Sequence, residues 1–98
     1  MTIEQLSIIE QNLSSLVLSR QTLQKQLLEV EHAAKELVDA SDAYEIIGTI
    51  MIKKDAETLR EELNSRKETI SVKLESVKKQ EESLRKQLED AQKNLMEE

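Results

Sequence analysis

The chain has 98 residues, among them one glycine, no proline, no cysteine, one histidine and one aromatic residue, and 35% of it is charged. So few turn residues imply long uninterrupted elements, while the counts exclude glycine-rich phosphate loops, disulfides, thiolate zinc sites and a histidine metal cluster built on His32. Fourteen basic residues against twenty acidic ones give a net charge of −6, which argues against nucleic acid as the main partner.

The charge is spread rather than concentrated: −3 over residues 1–40, zero over 41–54 and −3 over 55–98. The first residues, Met1-Thr2-Ile3-Glu4-Gln5, lack the basic start and apolar run of a signal peptide. The longest mostly apolar stretch, Ile46 to Ile52, is too short to span a bilayer. These features predict a single domain over 1–98, cytoplasmic, not an enzyme, with no cofactor or metal and no membrane or nucleic-acid partner.

The first segment repeats with period seven over residues 3–38. The a positions are Leu6, Leu13, Arg20, Leu27 and Ala34, and the d positions are Ile9, Leu16, Leu23, Val30 and Leu37. Nine of these ten are apolar, which predicts a coiled-coil helix over about 2–40. Thr2, with Gln5 three residues on, supplies a capping-box start.

From Tyr44 to Lys53 the helical rhythm breaks. This stretch is rich in β-branched residues and holds both the only aromatic residue and the only glycine, which predicts a β-hairpin over about 43–54. A turn centred on Gly48-Thr49 puts glycine at the first central position of a type II′ turn. Centring it on Ile47-Gly48 would force a β-branched residue to positive φ. The preferred turn pairs residues whose numbers sum to 97: Ile47 with Ile50, Ile46 with Met51, Glu45 with Ile52, Tyr44 with Lys53.

The last segment, about 55–97, opens on Asp55 as a helix cap with Glu57 favouring the helix dipole. Its d positions, Ala56, Leu63, Ile70, Val77, Leu84 and Ala91, are all apolar. Its a positions, Arg60, Lys67, Leu74, Glu81, Leu88 and Leu95, are half so, and the polar ones can lay their stems along a neighbouring helix. Extending the sum of 97 into antiparallel helices matches a with d throughout. It opposes Leu13 to Leu84 and Leu27 to Ile70, and sets Arg20 one layer from Glu81 for a diagonal pair. The expected fold class is therefore mainly α: two long helices forming an antiparallel coiled-coil arm of about 60 Å, joined by one hairpin.

An isolated two-stranded hairpin is marginal in water. Here the pairing puts Ile47, Ile50 and Ile52 on one face and Tyr44, Ile46 and Met51 on the other. Both faces are apolar and both edges unpaired, which calls for covering neighbours. Oligomerisation through Tyr44, Ile46, Ile47, Gly48, Ile50, Met51 and Ile52 is the expectation.

The run from Glu36-Leu37 through Asp42-Ala43-Tyr44-Glu45-Ile46-Ile47-Gly48-Thr49-Ile50-Met51-Ile52-Lys53-Lys54-Asp55 resembles the centre of a beta-class prefoldin subunit of the archaeal type. The flanks agree: Gln21, Gln24 and Gln26 dot the first helix, and Leu59, Leu63, Ile70, Gln80-Glu81, Leu84 and Leu88 mark the second. The resemblance covers nearly the whole chain, and the Tyr-x-x-x-Gly-x-x-x-Ile-Lys hairpin between matched helices is its specific part. Two departures stand out: Glu45 occupies a place where a basic residue is common, and the chain stops soon after Leu95.

The resemblance implies a hetero-hexamer of two alpha-class and four beta-class subunits, whose hairpins assemble into an inter-subunit double β-barrel. Alpha-class subunits carry two hairpins, and this chain has room for one. It further implies an ATP-independent chaperone, a holdase that captures non-native client proteins at the coiled-coil tips and delivers them to a group II chaperonin. In the register above both ends of the chain lie at the tip, so Ile3, Leu6, Ile8, Ile9, Leu88, Leu95 and Met96 form the expected client-binding site. Met96 adds a flexible, polarizable contact suited to varied partners. Several of these residues also serve simply to close the seam.

Other candidates have plain readings. His32 falls at a solvated f position. Glu81-Glu82 and Asp90 lack an enclosed pocket for acid–base work. Lys78-Lys79 and Arg85-Lys86 form a basic stripe interleaved with acids, and Leu18 and Leu28 stand outside the seam. The rival reading is a structural coiled-coil adaptor that oligomerises through its hairpin without chaperone activity.

Overall fold

The computed structural model describes residues 2–40 and 42–97. Four elements follow one another: α1 (Ile3–Glu36), β1 (Asp42–Ile47), β2 (Ile50–Asp55) and α2 (Ala56–Glu97). Both expected helix starts are present. The Thr2 amide donates to Gln5 Oε1 at 2.9 Å while the Gln5 amide donates to Thr2 Oγ1 at 3.2 Å, the reciprocal exchange of a capping box. Asp55 Oδ2 accepts from the Thr58 amide at 3.4 Å and also from its hydroxyl at 3.3 Å.

β1 and β2 form a two-stranded antiparallel sheet in the register expected, from Ile47 opposite Ile50 out to Asp42 opposite Asp55. Among the described residues Gly48 alone has positive φ, at 61°. Thr49 therefore does not, and the turn has glycine at its first central position. A Cβ on Gly48 would meet no atom within 4 Å, so the requirement is conformational rather than steric.

Two groups of residues pack as separate units, Met1–Gln24 with Val72–Glu98 and Lys25–Ser71. In the first, the buried apolar residues are Ile9, Leu13, Leu74 and Ala91, all at a or d positions. Glu81 is the one polar residue buried among them. Arg20 Nε donates to its Oε2 at 2.7 Å and Arg85 Nη2 to its Oε1 at 2.9 Å, so both carboxylate oxygens are satisfied. The guanidinium of Arg85, then that of Arg20, holds this carboxyl below its ordinary value. The diagonal pair expected between Arg20 and Glu81 is thus formed, and it places a charge where the seam lacks an aliphatic residue.

In the second unit the core is Leu37, Ala43, Ala56, Leu59 and Leu63, with Val30, Ala33, Ala34 and Ala40 packed against it. Alanine lets the backbones approach closely where strand meets helix: Ala43 and Ala56 are among the least exposed residues of the chain. Lys67 is the one exposed residue in the expected seam of this unit, and its ammonium lies 3.9 Å from Glu31.

α1 ends at Glu36, short of the expected 40. Its last turn tightens instead of closing on a glycine: the Val38 amide donates to Lys35 O and the Ala40 amide to Leu37 O, both i to i−3. One side chain also gathers the carbonyls at this end. The Arg60 guanidinium donates to the carbonyls of Leu37, Val38 and Ala40. Arg60 and Leu37 again sum to 97, so a polar a position that weakens the apolar pattern acts here as a helix cap in trans.

Candidate functional site

The hairpin is held at its root and bare at its tip. Ala43, Glu45, Ile47, Ile50, Ile52 and Lys54 share one face by the observed register. On that face Ala43 is buried and Glu45 and Lys54 are half-buried, whereas Ile47, Ile50 and Ile52 are exposed. The opposite face, with Tyr44, Ile46 and Met51, is exposed throughout. Thus all the apolar residues expected to drive oligomerisation lie at the surface, at 41% exposure for Ile52 and 55% or more for the other apolar ones. The sheet has no third strand among the described residues, so both β1 and β2 present an open edge.

What anchors the root is an ion cluster. Lys54 Nζ lies 2.5 Å from Glu45 Oε2 and 3.0 Å from Glu62 Oε2, and Arg66 Nη2 lies 3.2 Å from Glu45 Oε1. Glu45 Oε2 is enclosed and meets the ammonium as an ion pair rather than along a well-directed hydrogen bond. Lys54, then Arg66, holds the Glu45 carboxyl below its ordinary value, and Glu45, then Glu62, raises Lys54. A basic residue at position 45 would face Lys54 and Arg66 with like charge. The acid found there matches this cluster. It ties the strand to α2, which carries Glu62 and Arg66.

A groove of about 360 Å³ opens beside the root. Leu37, Leu59, Leu63 and Ala33 form its apolar lining, and Glu36, Asp42 and Tyr44 stand around it. On the exposed face Asp42 pairs with Lys53 at 3.5 Å.

In the other unit the residues expected at the client-binding tip divide by accessibility. Ile3, Ile8 and Met96 are exposed, Met96 at 88%. Leu6, Leu88 and Leu95 are half-buried and Ile9 is buried in the seam. Further apolar side chains stand exposed along the helices, Leu18 and Leu28 as expected and also Val72, and Val38 is exposed in the turn after α1. His32 is exposed, 4.0 Å from Glu36. Among the described residues no group of three His, Cys, Asp or Glu is placed to hold a metal, and no helix is long and apolar enough to cross a membrane.

Three features escaped the sequence: the Arg60 cap, the Glu45–Lys54–Glu62–Arg66 cluster and the buried Ala43. The sum of 97 pointed to the first by opposing Arg60 to Leu37. For the cluster the only signal was alternation, which puts Glu45 and Lys54 on one face of the hairpin.

Comparison with known proteins gives the geometry relatives. The model of the prefoldin subunit family matches residues 1–98. Among solved structures, the crystal structure of the prefoldin beta subunit from Thermococcus strain KS-1 superposes with a TM-score of 0.86 at 26% identity, covering 97% of this chain and 86% of that one. A comparison with curated protein sequences finds no match.

Proposed function

The chain belongs to the prefoldin family, with the beta-class arrangement of one hairpin between two long helices, and from that premise we propose that it works as a holdase subunit. A prefoldin-type chaperone role follows from the family. The finer reading is that the hairpin joins alpha-class subunits and further beta-class copies in a hetero-hexamer closed by an inter-subunit β-barrel. Non-native proteins are then captured at the far ends of the helices, without ATP, and handed to a group II chaperonin in the cytoplasm.

The observation that carries this reading is the distribution of exposed apolar surface. At the hairpin it is contiguous and combined with two open strand edges, the chemistry of a permanent interface. At the helix ends it is a few separate side chains, Ile3, Ile8 and Met96, on helices that offer no strand edge to extend. Such contacts are individually weak and adaptable, and several subunits acting on one client offset that weakness. Leu6, Ile9, Leu88 and Leu95 close the seam beneath them and set their positions.

Reconstitution with an alpha-class subunit tests both halves. Sedimentation reports the hexamer, and light scattering of a denatured, aggregating client reports capture in the absence of nucleotide. A hexamer that leaves aggregation unchanged would favour the adaptor reading.

A further inference from the structure

The unit formed by Met1–Gln24 and Val72–Glu98 has one charged layer in its seam, and the two members of that layer come from different helices. α1 has nine apolar residues among its ten a and d positions and a single charge there, Arg20. α2 has nine apolar residues among twelve, and Glu81 is the only acid in its seam. Glu81 is buried, with Arg20 on one carboxylate oxygen and Arg85 on the other. Arg20 is largely covered, its side chain 27% exposed, and its other contact is Nη1 to Gln24 Oε1 at 3.4 Å. A layer of this kind adds little net stability, because desolvation offsets the attraction. What it can do is choose which helix the seam accepts.

We propose that Arg20 is the partner-choice residue of the seam: it bars α1 from pairing with the α1 of a second copy and commits it to α2. On apolar matching alone α1 would favour another α1, nine of ten seam positions against nine of twelve. Any assembly that gathers copies of the chain raises the local concentration of that rival. Two α1 helices aligned in register would bury Arg20 against Arg20. No carboxylate lies at an a or d position of either helix, and the e and g positions around that layer, Val17, Ser19, Gln24 and Gln26, supply none. A charge taken from water without a counter-charge is costly, and only α2 offers Glu81. The two members of the pair are not equivalent. Glu81 keeps Arg85 at 2.9 Å when Arg20 is removed, whereas Arg20 keeps only an amide when Glu81 is removed. The inference goes beyond the holdase reading and does not depend on what the helix ends bind.

Sedimentation velocity over a range of concentrations tests the proposal, using the full chain with Ile50→Lys and Ile52→Lys to suppress contact through the hairpin. To that background Arg20→Leu, Glu81→Leu or both are added. With the native seam the chain is expected to sediment near the 11.3 kDa of one copy. Glu81→Leu alone is expected to stay there too, because Arg20 still excludes a second α1. Arg20→Leu, alone or with Glu81→Leu, is expected to double that mass as concentration rises, with helicity retained by circular dichroism. The combined variant leaves no charge in the layer, so it carries the test even where Arg20→Leu folds poorly. A combined variant that stays monomeric, or Glu81→Leu associating as strongly as Arg20→Leu, would overturn the proposal. A native seam that still associates on the lysine background counts against the hairpin as the joint. In that case a larger mass for the combined variant supports the choice made by Arg20, and an equal mass overturns it.

Discussion

The hairpin and the helix ends both expose aliphatic side chains, but they differ in what the backbone beneath them offers. At Ile46–Met51 the side chains sit on strands with unpaired edges. A partner can therefore add directed main-chain hydrogen bonds to the apolar contact and lock a single geometry. At Ile3, Ile8 and Met96 the side chains stand on helices, whose amides and carbonyls pair along their own axes outside the terminal turns and offer no strand edge. A partner there finds mainly non-directional surface, as the proposed capture of clients of no fixed shape requires. On the proposed reading, similar hydrophobicity serves a fixed joint in one place and a promiscuous grip in the other, and the open strand edges make the difference.

The largest expected effect comes from breaking the joint. Ile50→Lys combined with Ile52→Lys should abolish assembly by sedimentation while circular dichroism shows the helices retained. Capture by the separated subunits should weaken through lost multivalency without vanishing. Next is the grip. Ile3→Ser, Ile8→Ser and Met96→Ser together should leave the oligomer intact and reduce suppression of client aggregation by about tenfold or more, which is on the order of 1.4 kcal/mol of lost contact. Loss of both activities in either variant would refute the division of roles.

Two smaller tests ask how the joint is braced. Arg60→Ala should cost about 2–3 kcal/mol in urea unfolding, because the Leu37, Val38 and Ala40 carbonyls lose a charged donor at the end of α1. In the seam, Glu81→Leu alone should lower the urea midpoint by leaving Arg20 without its partner. The double variant Arg20→Leu/Glu81→Leu should be neutral or more stable than wild type.

The smallest effect is on pH. Glu45 and Glu81 have folded-state values below that of an ordinary carboxyl. Their contribution is therefore present above the unfolded value and fades as pH falls through the folded one, on the acid side of the ordinary glutamate value of 4.5. Lys54 is raised, so its share is complete below the ordinary lysine value of 10.5 and is lost only at more alkaline pH. Chemical unfolding between pH 3 and 5 on the wild type and on Glu45→Gln, at roughly these pH values, should show the wild type losing stability toward acid and the variant losing less.

Much of this was legible in residue order because the deciding constraint was single. Gly48 favours one of the turns open to it, that turn fixes the strand register, and the same sum opposes a to d along the helices. Arg20 with Glu81 came from that frame, and Thr2 with Gln5 and Asp55 from local capping patterns. The root of the hairpin was not legible. The geometry of Lys54, Glu62 and Arg66 depends on how α2 leaves β2, which no periodicity states. Arg60 read as a flaw in the seam because its partner is a set of main-chain carbonyls, invisible to any pattern of side chains. The end of α1 was misplaced because no glycine or proline announces it, and the carbonyls just beyond it meet that arginine.

The central claim is that the assembled protein holds non-native chains through its helix ends. Light scattering of a denatured client, with the reconstituted complex present in substoichiometric amount and no nucleotide, tests it most directly. Suppressed aggregation is expected, lost with the Ile3, Ile8 and Met96 serine variant at unchanged oligomeric state. Unchanged aggregation with the intact complex, or equal suppression by that variant, would contradict it.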